Sequence, residues 1–301
     1  MSAIKKTFSD GEIIIKEGDI GESFFQIIEG NAGVYVNYGA EDAVKLTSIG
    51  PGKYFGEMAI IESYPRSTTV VAENDITVLE IQASELSSYF EENPDKIIEI
   101  MKNLGSRLSA LTEDYDEAKG VLSSVKDSVD IDKSDSVLTK LKKFFGVYNA
   151  NKNKISKPSV EALRGDDFKA ADSGAIVEAY NKGTVIFKQG EVGKCMYLLH
   201  GGVVGVYTNY GTASQNKLTD LYPVSCFGEM GMISEEARTA TAIAEADETY
   251  VEIIRAEDLE NMFKIMPVKV EMILRHLSYR LRSLTYDYYN VCKELYEIYN
   301  A

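Results

Sequence analysis

The sequence predicts a mainly β fold with added α-helices: two antiparallel jelly-roll or barrel domains in tandem, each followed by a short and then a long helix. Three observations carry this expectation. The chain repeats itself over a long period, short apolar runs broken by turn residues fill the first part of each copy, and a helical pattern fills the rest.

Sliding the 301-residue chain against itself by 172 positions brings distinctive residues into register. Gly18, Gly21, Gly30 and Gly33 fall on Gly190, Gly193, Gly202 and Gly205, and Asn37-Tyr38-Gly39 falls on Asn209-Tyr210-Gly211. Phe55-Gly56-Glu57-Met58 meets Phe227-Gly228-Glu229-Met230, and Arg66 meets Arg238. One insertion near Glu85 shifts the offset to 173, after which Phe90, Pro94, Leu111-Thr112 and Tyr115 match Phe263, Pro267, Leu284-Thr285 and Tyr288. A period this long indicates duplicated domains, since solenoid repeats are several times shorter. The expected organisation is a first domain over 1–124, a linker over 125–172 and a second domain over 173–301. Within the linker, rich in Asp, Ser, Lys and Asn, the spacing of Val137, Leu138, Leu141, Phe144 and Phe145 predicts a short amphipathic helix over 134–145, docked on a domain.

In the first copy the expected strands are 13–15, 24–28, 34–37, 44–48, 68–71 and 76–81. Several are separated by glycine, and Gly30-Asn31 and Gly201-Gly202 lie where a tight hairpin needs positive φ. From Ser84 the pattern becomes helical, with Pro94 dividing a short helix from a long one. Along the long helices Leu104, Leu108, Leu111, Tyr115, Ala118 and Leu122, and in the second copy Leu277, Leu281, Leu284, Tyr288, Val291, Leu295 and Ile298, recur in alternating steps of four and three. Such stripes pack on their own barrels, pair helix to helix, or do each on different turns.

Composition narrows the function. With 47 acidic against 32 basic residues the formal charge is -15, which repels a nucleic-acid backbone. Three scattered cysteines, Cys195, Cys226 and Cys292, build no disulfide framework and fit a reducing cytoplasm. No signal peptide and no run of 18 apolar residues is found, so no membrane association is expected. Two histidines supply no ligand set, so no metal is expected and a cupin-type jelly-roll enzyme lacks its centre.

The chemistry concentrates between the fourth and fifth of these strands. Phe55-Gly56-Glu57 is followed nine residues after Glu57 by Arg66, and Phe227-Gly228-Glu229 by Arg238. A glycine before a short helical turn lets backbone N–H groups approach an anion. Arginine adds a charged fork for phosphate oxygens, and a carboxylate beside it suits a sugar hydroxyl. Phosphate plus sugar points to a nucleotide.

In these cassettes the sequence resembles the cyclic-nucleotide-binding domains of catabolite activator proteins, cyclic-nucleotide-dependent kinases and cyclic-nucleotide-gated channels, over roughly 1–124 and 173–301. The resemblance implies that Glu57 and Glu229 bind the ribose 2′-hydroxyl and that Arg66 and Arg238 bind the cyclic phosphate. It further implies contacts from Gly56, Met58 and Ala59, from Gly228, Met230 and Gly231, and from the small residues Ser67-Thr68 and Thr239-Ala240. The implied ligand is cyclic AMP or cyclic GMP; Ser67 resembles cyclic-AMP-binding activators, whereas Thr239 resembles members favouring cyclic GMP. Tyr115 with Thr112, or Tyr288 with Thr285, are candidates for a lid over the base, although the two tyrosines also lie on the helical stripes.

No helix-turn-helix follows Leu295 and no Arg-Arg inhibitor sequence occurs, so the expectation is a non-catalytic, cytoplasmic signal-transduction receptor that contacts neither DNA nor membrane and passes its signal to an unknown downstream protein. The long helices would form an intrachain pseudo-dimer or a homodimer. The alternative is an interaction scaffold whose pockets are empty or hold a different ligand.

Overall fold

The computed structural model describes residues 3–41, 43–56, 66, 68–127, 135–152, 176–233 and 237–300. The chain divides into two compact units: Met1–Tyr89 with Arg107–Ser159 and Ser278–Ala301, and Phe90–Ser106 with Val160–Leu277.

The first unit opens with eight strands, β1 (Ala3–Phe8), β2 (Ile13–Ile15), β3 (Ser23–Glu29), β4 (Ala32–Val36), β5 (Val44–Ile49), β6 (Tyr54–Phe55), β7 (Thr69–Ala72) and β8 (Ile76–Gln82). They form two four-stranded antiparallel sheets, ordered β1-β8-β3-β6 and β2-β7-β4-β5. Phe25, Ile27 and Phe55 from the first sheet and Ile15, Val70 and Ala72 from the second share one core. Burying each large apolar side chain contributes about 1.5–3 kcal/mol, which makes this cluster the main source of the barrel's stability.

Two strands were not expected. β1 carries Lys5 and Lys6 and is mostly exposed, so its sequence shows no buried alternation. It is held as an edge strand by its ladder to β8, where Lys6 Nζ also lies 2.5 Å from the Glu80 carboxylate. β6 is only two residues long, too short for any period to show.

The second unit carries β9 (Ile176–Tyr180), β10 (Val185–Phe187), β11 (Cys195–Gly201), β12 (Val204–Thr208), β13 (Asn216–Leu221), β14 (Ser225–Phe227), β15 (Thr241–Ala244) and β16 (Thr249–Arg255). Its sheets, β9-β16-β11-β14 and β10-β15-β12-β13, repeat the first pair strand for strand. The duplication extends to irregularities: register shifts at Ile13/Ile15, Ile27/Glu29 and Val34/Tyr35 recur at Val185/Phe187, Leu199/Gly201 and Val206/Tyr207. The hairpin glycines Gly30 and Gly202 have φ of +86° and +81°, and a Cβ there would press on Asp75 O and on Thr249. Both the backbone conformation and the crowding require glycine at these positions.

Helices follow as the periodicity indicates. In the first copy α1 (Leu86–Glu92) precedes α2 (Asp95–Asp127), with Pro94 between them, and between the two copies lies α3 (Asp135–Asn151). The second copy adds α4 (Glu229–Ile233), α5 (Leu259–Ile265) and α6 (Pro267–Tyr299). In the second unit Phe90 meets Phe263 edge to face at 5.5 Å.

In the first unit, α3 packs with the distal halves of α2 and α6. Ala118 and Leu122 of α2, Leu141, Phe144 and Tyr148 of α3, and Tyr288, Cys292 and Leu295 of α6 form one buried cluster. Tyrosines dominate its rim: Phe145 packs on Tyr296 and Tyr299 at 5.3 and 5.4 Å, and Tyr148 on Tyr289 and Tyr296 at 5.7 and 4.8 Å. Lys143 Nζ reaches Asp114 at 2.6 Å, Lys140 reaches Glu117 at 3.1 Å, and Lys126 reaches Glu294 at 2.6 Å. These pairs are well exposed and worth at most about 1 kcal/mol each, so the apolar seam holds the bundle and the charges set its register. The helix runs six residues beyond the expected 145 because Val147 and Tyr148 continue the packed stripe past Gly146.

Candidate functional site

Each cassette is anchored by its phenylalanine. Phe55 stacks on Phe25 at 5.1 Å and Phe227 on Tyr197 at 5.3 Å, inside their respective barrels. The next residue must turn the chain out of the sheet, and Gly56 and Gly228 do so with φ of +72° and +69°. In the second copy the turn leads directly into α4, whose first residue is the buried Glu229.

The cassette arginine returns to this turn through a fixed set of four hydrogen bonds. The Arg66 N–H donates to Asp19 O at 2.8 Å, and its own carbonyl accepts from Gly18 N–H at 2.9 Å. The side chain then donates from Nη1 to Gly56 O at 2.8 Å and from Nη2 to Ser23 O at 2.5 Å. Arg238 repeats the pattern, with backbone bonds to Glu191 O at 2.8 Å and from Gly190 N–H at 2.9 Å. Its Nη1 donates to Gly228 O and its Nη2 to Cys195 O at 2.7 Å. A guanidinium has five N–H donors, so two anchored donors leave others for an anion. Burial pushes the Arg66 guanidinium below its ordinary pKa while Asp19 and Glu80 pull it up, and an arginine so placed keeps its charge.

Two glycines that had only marked the repeat belong to this cradle. A Cβ on Gly21 would lie 2.1 Å from Arg66 Nε, and one on Gly193 would lie 2.1 Å from Arg238 Cζ. Such separations are impossible, so the flank of each guanidinium rests on bare backbone. The available signal was that Gly21 and Gly193 keep the offset of Arg66 and Arg238.

Of the expected site residues, Gly228, Gly231 and Arg238 are brought together, since a Cβ on Gly231 would lie 2.8 Å from Arg238 Nη1. Met230 and Thr68 are half-buried, Thr239 is exposed and Ala240 is buried just before β15. Glu57, Met58, Ala59 and Ser67 lie outside the described residues. Of the base-lid candidates, Thr112 and Thr285 donate their hydroxyls to Leu108 O and Leu281 O at 2.8 and 2.7 Å, Tyr115 is half-buried with Lys119 Nζ 5.2 Å from its ring centre, and Tyr288 is buried edge-on against Phe144. Among the described residues no group of three or more His, Cys, Asp or Glu side chains is placed to hold a metal, and no helix is long and apolar enough to cross a membrane.

The family model described as "Cyclic nucleotide-binding domain" matches residues 5–93 and 177–265, together more than half of the chain. The chain belongs to the cyclic nucleotide-binding domain family. Among curated relatives, a cGMP-dependent protein kinase of Plasmodium berghei (strain Anka) is 27% identical over 237 residues, covering 79% of this chain and 21% of that protein. A cAMP-dependent protein kinase regulatory subunit of Blastocladiella emersonii is 24% identical over 239 residues, covering 79% of this chain and 47% of that protein. The chain thus spans less than half the length of these relatives. Among solved structures, the regulatory domain of Toxoplasma gondii PKA with cAMP shares 18% identity over 91% of this chain and 84% of that one, with a TM-score of 0.28. The Thermus thermophilus catabolite activator protein shares 30% identity over 36% of this chain and 50% of that one, with a TM-score of 0.32. The cyclic nucleotide-binding domain thus occurs twice in this chain, each copy a pair of mainly antiparallel sheets followed by helices.

Proposed function

We propose that this chain is a non-catalytic receptor for cyclic AMP or cyclic GMP with two binding sites. The carrying observation is the arginine cradle built twice from the same four hydrogen bonds. In this reading Arg66 and Arg238 hold the cyclic phosphate, Glu57 and Glu229 the ribose hydroxyl, and Gly56, Met58, Ala59, Ser67, Thr68, Gly228, Met230, Gly231, Thr239 and Ala240 complete the two pockets. Its domains are 1–124 and 173–301, its place is the cytoplasm, and its output is a change in helix arrangement read by a downstream protein. Isothermal calorimetry with each nucleotide tests this. Two binding events per chain are expected, and no heat with either nucleotide at high micromolar concentration would refute the receptor.

The long helices then serve as an intrachain pseudo-dimer, because the seam of α2 and α6 is filled by α3 of the same chain. Light scattering over a hundredfold concentration range is expected to give 33.4 kDa throughout. A mass that doubles with concentration selects the homodimer instead.

A further inference from the structure

The two cradles share their hydrogen bonds but not their floor. In both copies the cassette phenylalanine stacks on an aromatic of the third strand, Phe55 on Phe25 and Phe227 on Tyr197. The second copy adds a third ring. Phe187 lies 5.4 Å from Tyr197 and 6.1 Å from Phe227, at interplanar angles of 25° and 28°. The guanidinium of Arg238 sits over Phe187 at 4.4 Å and beside Tyr197 at 5.6 Å.

The repeat register places Ile15 where the second copy has Phe187. Space agrees: a Cβ on Gly56 would meet Ile15 Cδ1 at 2.8 Å, and one on Gly228 would meet Phe187 Cε1 at 3.1 Å. Among the described residues no aromatic ring is placed over Arg66. Arg238 is also the more enclosed of the two, 5% exposed, whereas Arg66 is half-buried.

We infer that Phe187 is a positioning residue that makes the second nucleotide site unlike the first, by fixing the plane of the Arg238 guanidinium before ligand arrives. This rests on the reading that Arg238 binds the cyclic phosphate. Stacking on a ring removes the torsional freedom that a guanidinium beside an isoleucine keeps, so less order is lost when the phosphate binds. Ordering a rotamer-rich side chain on binding costs about 1 kcal/mol, so having it ordered beforehand is worth about fivefold in affinity.

The test is site-resolved calorimetry of the full chain with cyclic AMP and cyclic GMP. The variants are Phe187→Ile, Phe187→Tyr and Ile15→Phe, alongside Arg238→Ala. Phe187→Ile installs the residue that the first copy already accommodates. It is expected to weaken the second site about fivefold and leave the first unchanged, while Phe187→Tyr, which keeps the aromatic face, restores wild-type affinity. Unchanged second-site affinity in Phe187→Ile overturns the inference, and so does equal weakening by Phe187→Ile and Phe187→Tyr, which would be a packing effect alone. Ile15→Phe gives an independent arm: tightening of the first site is expected, and no change or weakening counts against the role of the ring. Failure of the underlying reading looks different, because the wild type would then show no second-site binding or Arg238→Ala would bind as well as wild type.

Discussion

Replacing Arg238 by alanine is expected to lower affinity at the second site at least tenfold, about 1.4 kcal/mol or more, while the first site titrates as in the wild type. On the proposed reading the variant loses a charge-assisted contact to the phosphate, which neutral groups cannot reproduce. It also strips the Gly228 and Cys195 carbonyls of their donor, at about 1–3 kcal/mol for each group left buried and unpaired. Binding loss in this variant alone would therefore mix two effects. Gly193→Ala tests the position of the arginine, because it keeps the charge but puts a Cβ where the guanidinium lies, so Arg238 must leave the cradle. Both variants are expected to lose second-site heat in calorimetry. If Gly193→Ala binds as tightly as wild type, the observed arginine position is not the one that meets the ligand.

Lys269→Met is expected to destabilise the second unit by about 3–5 kcal/mol in urea or thermal unfolding. Lys269 of α6 and Glu252 of β16 are each 1% exposed and pair directly, while His200 Nε2 lies 2.7 Å from the other carboxylate oxygen. Removing the lysine leaves a buried carboxylate with half of its compensation. The double replacement Glu252→Gln with Lys269→Met removes the stranded charge and is expected to recover most of the loss. The pair also sets a pH dependence. Burial on its own would raise the Glu252 carboxyl, but hydrogen bonds from His200 and Lys269 outweigh it and hold the group below its ordinary value. A carboxyl depressed in the folded state stabilises fully above its unfolded pKa of about 4.3, and that contribution disappears as pH falls through the lower folded value. Wild-type unfolding midpoints should therefore drop on acidification below about pH 4 more steeply than those of Glu252→Gln. A double variant as unstable as Lys269→Met, or identical acid profiles, would contradict this account. The corresponding Glu80 accepts from Ser23 at 3.1 Å and pairs with a well-exposed Lys6, so the buried latch to a long helix belongs to the second copy.

Much of the molecule was legible in the residues because duplication presents every informative feature twice. The helix break at Pro94, the hairpin glycines and the Phe-Gly-Glu turns could be read directly, since each rests on a property of one residue type at one place. The partners of the arginines could not. Their acceptors are backbone carbonyls, of Gly56 and Ser23 in one copy and of Gly228 and Cys195 in the other, and a carbonyl leaves no mark on residue identity. In the sequence Gly21 and Gly193 are indistinguishable from turn glycines, because the guanidinium against each is set there by the fold. Phe187 reads as one more core aromatic in an apolar strand, and Lys269 as one more solvated helix lysine. Both acquire their meaning from the group that the fold sets opposite them.

The seam filled by α3 has a consequence for how such a chain came to be. Copying a stretch of gene yields two equal barrels, but the helical core closes only with side chains from three stretches far apart in sequence: Ala118 and Leu122, Leu141 and Phe144, and Tyr288 and Leu295. The inherited unit and the cooperative unit therefore do not coincide. A mutation in the intervening stretch, which neither barrel encodes, is felt where the helices of both copies end.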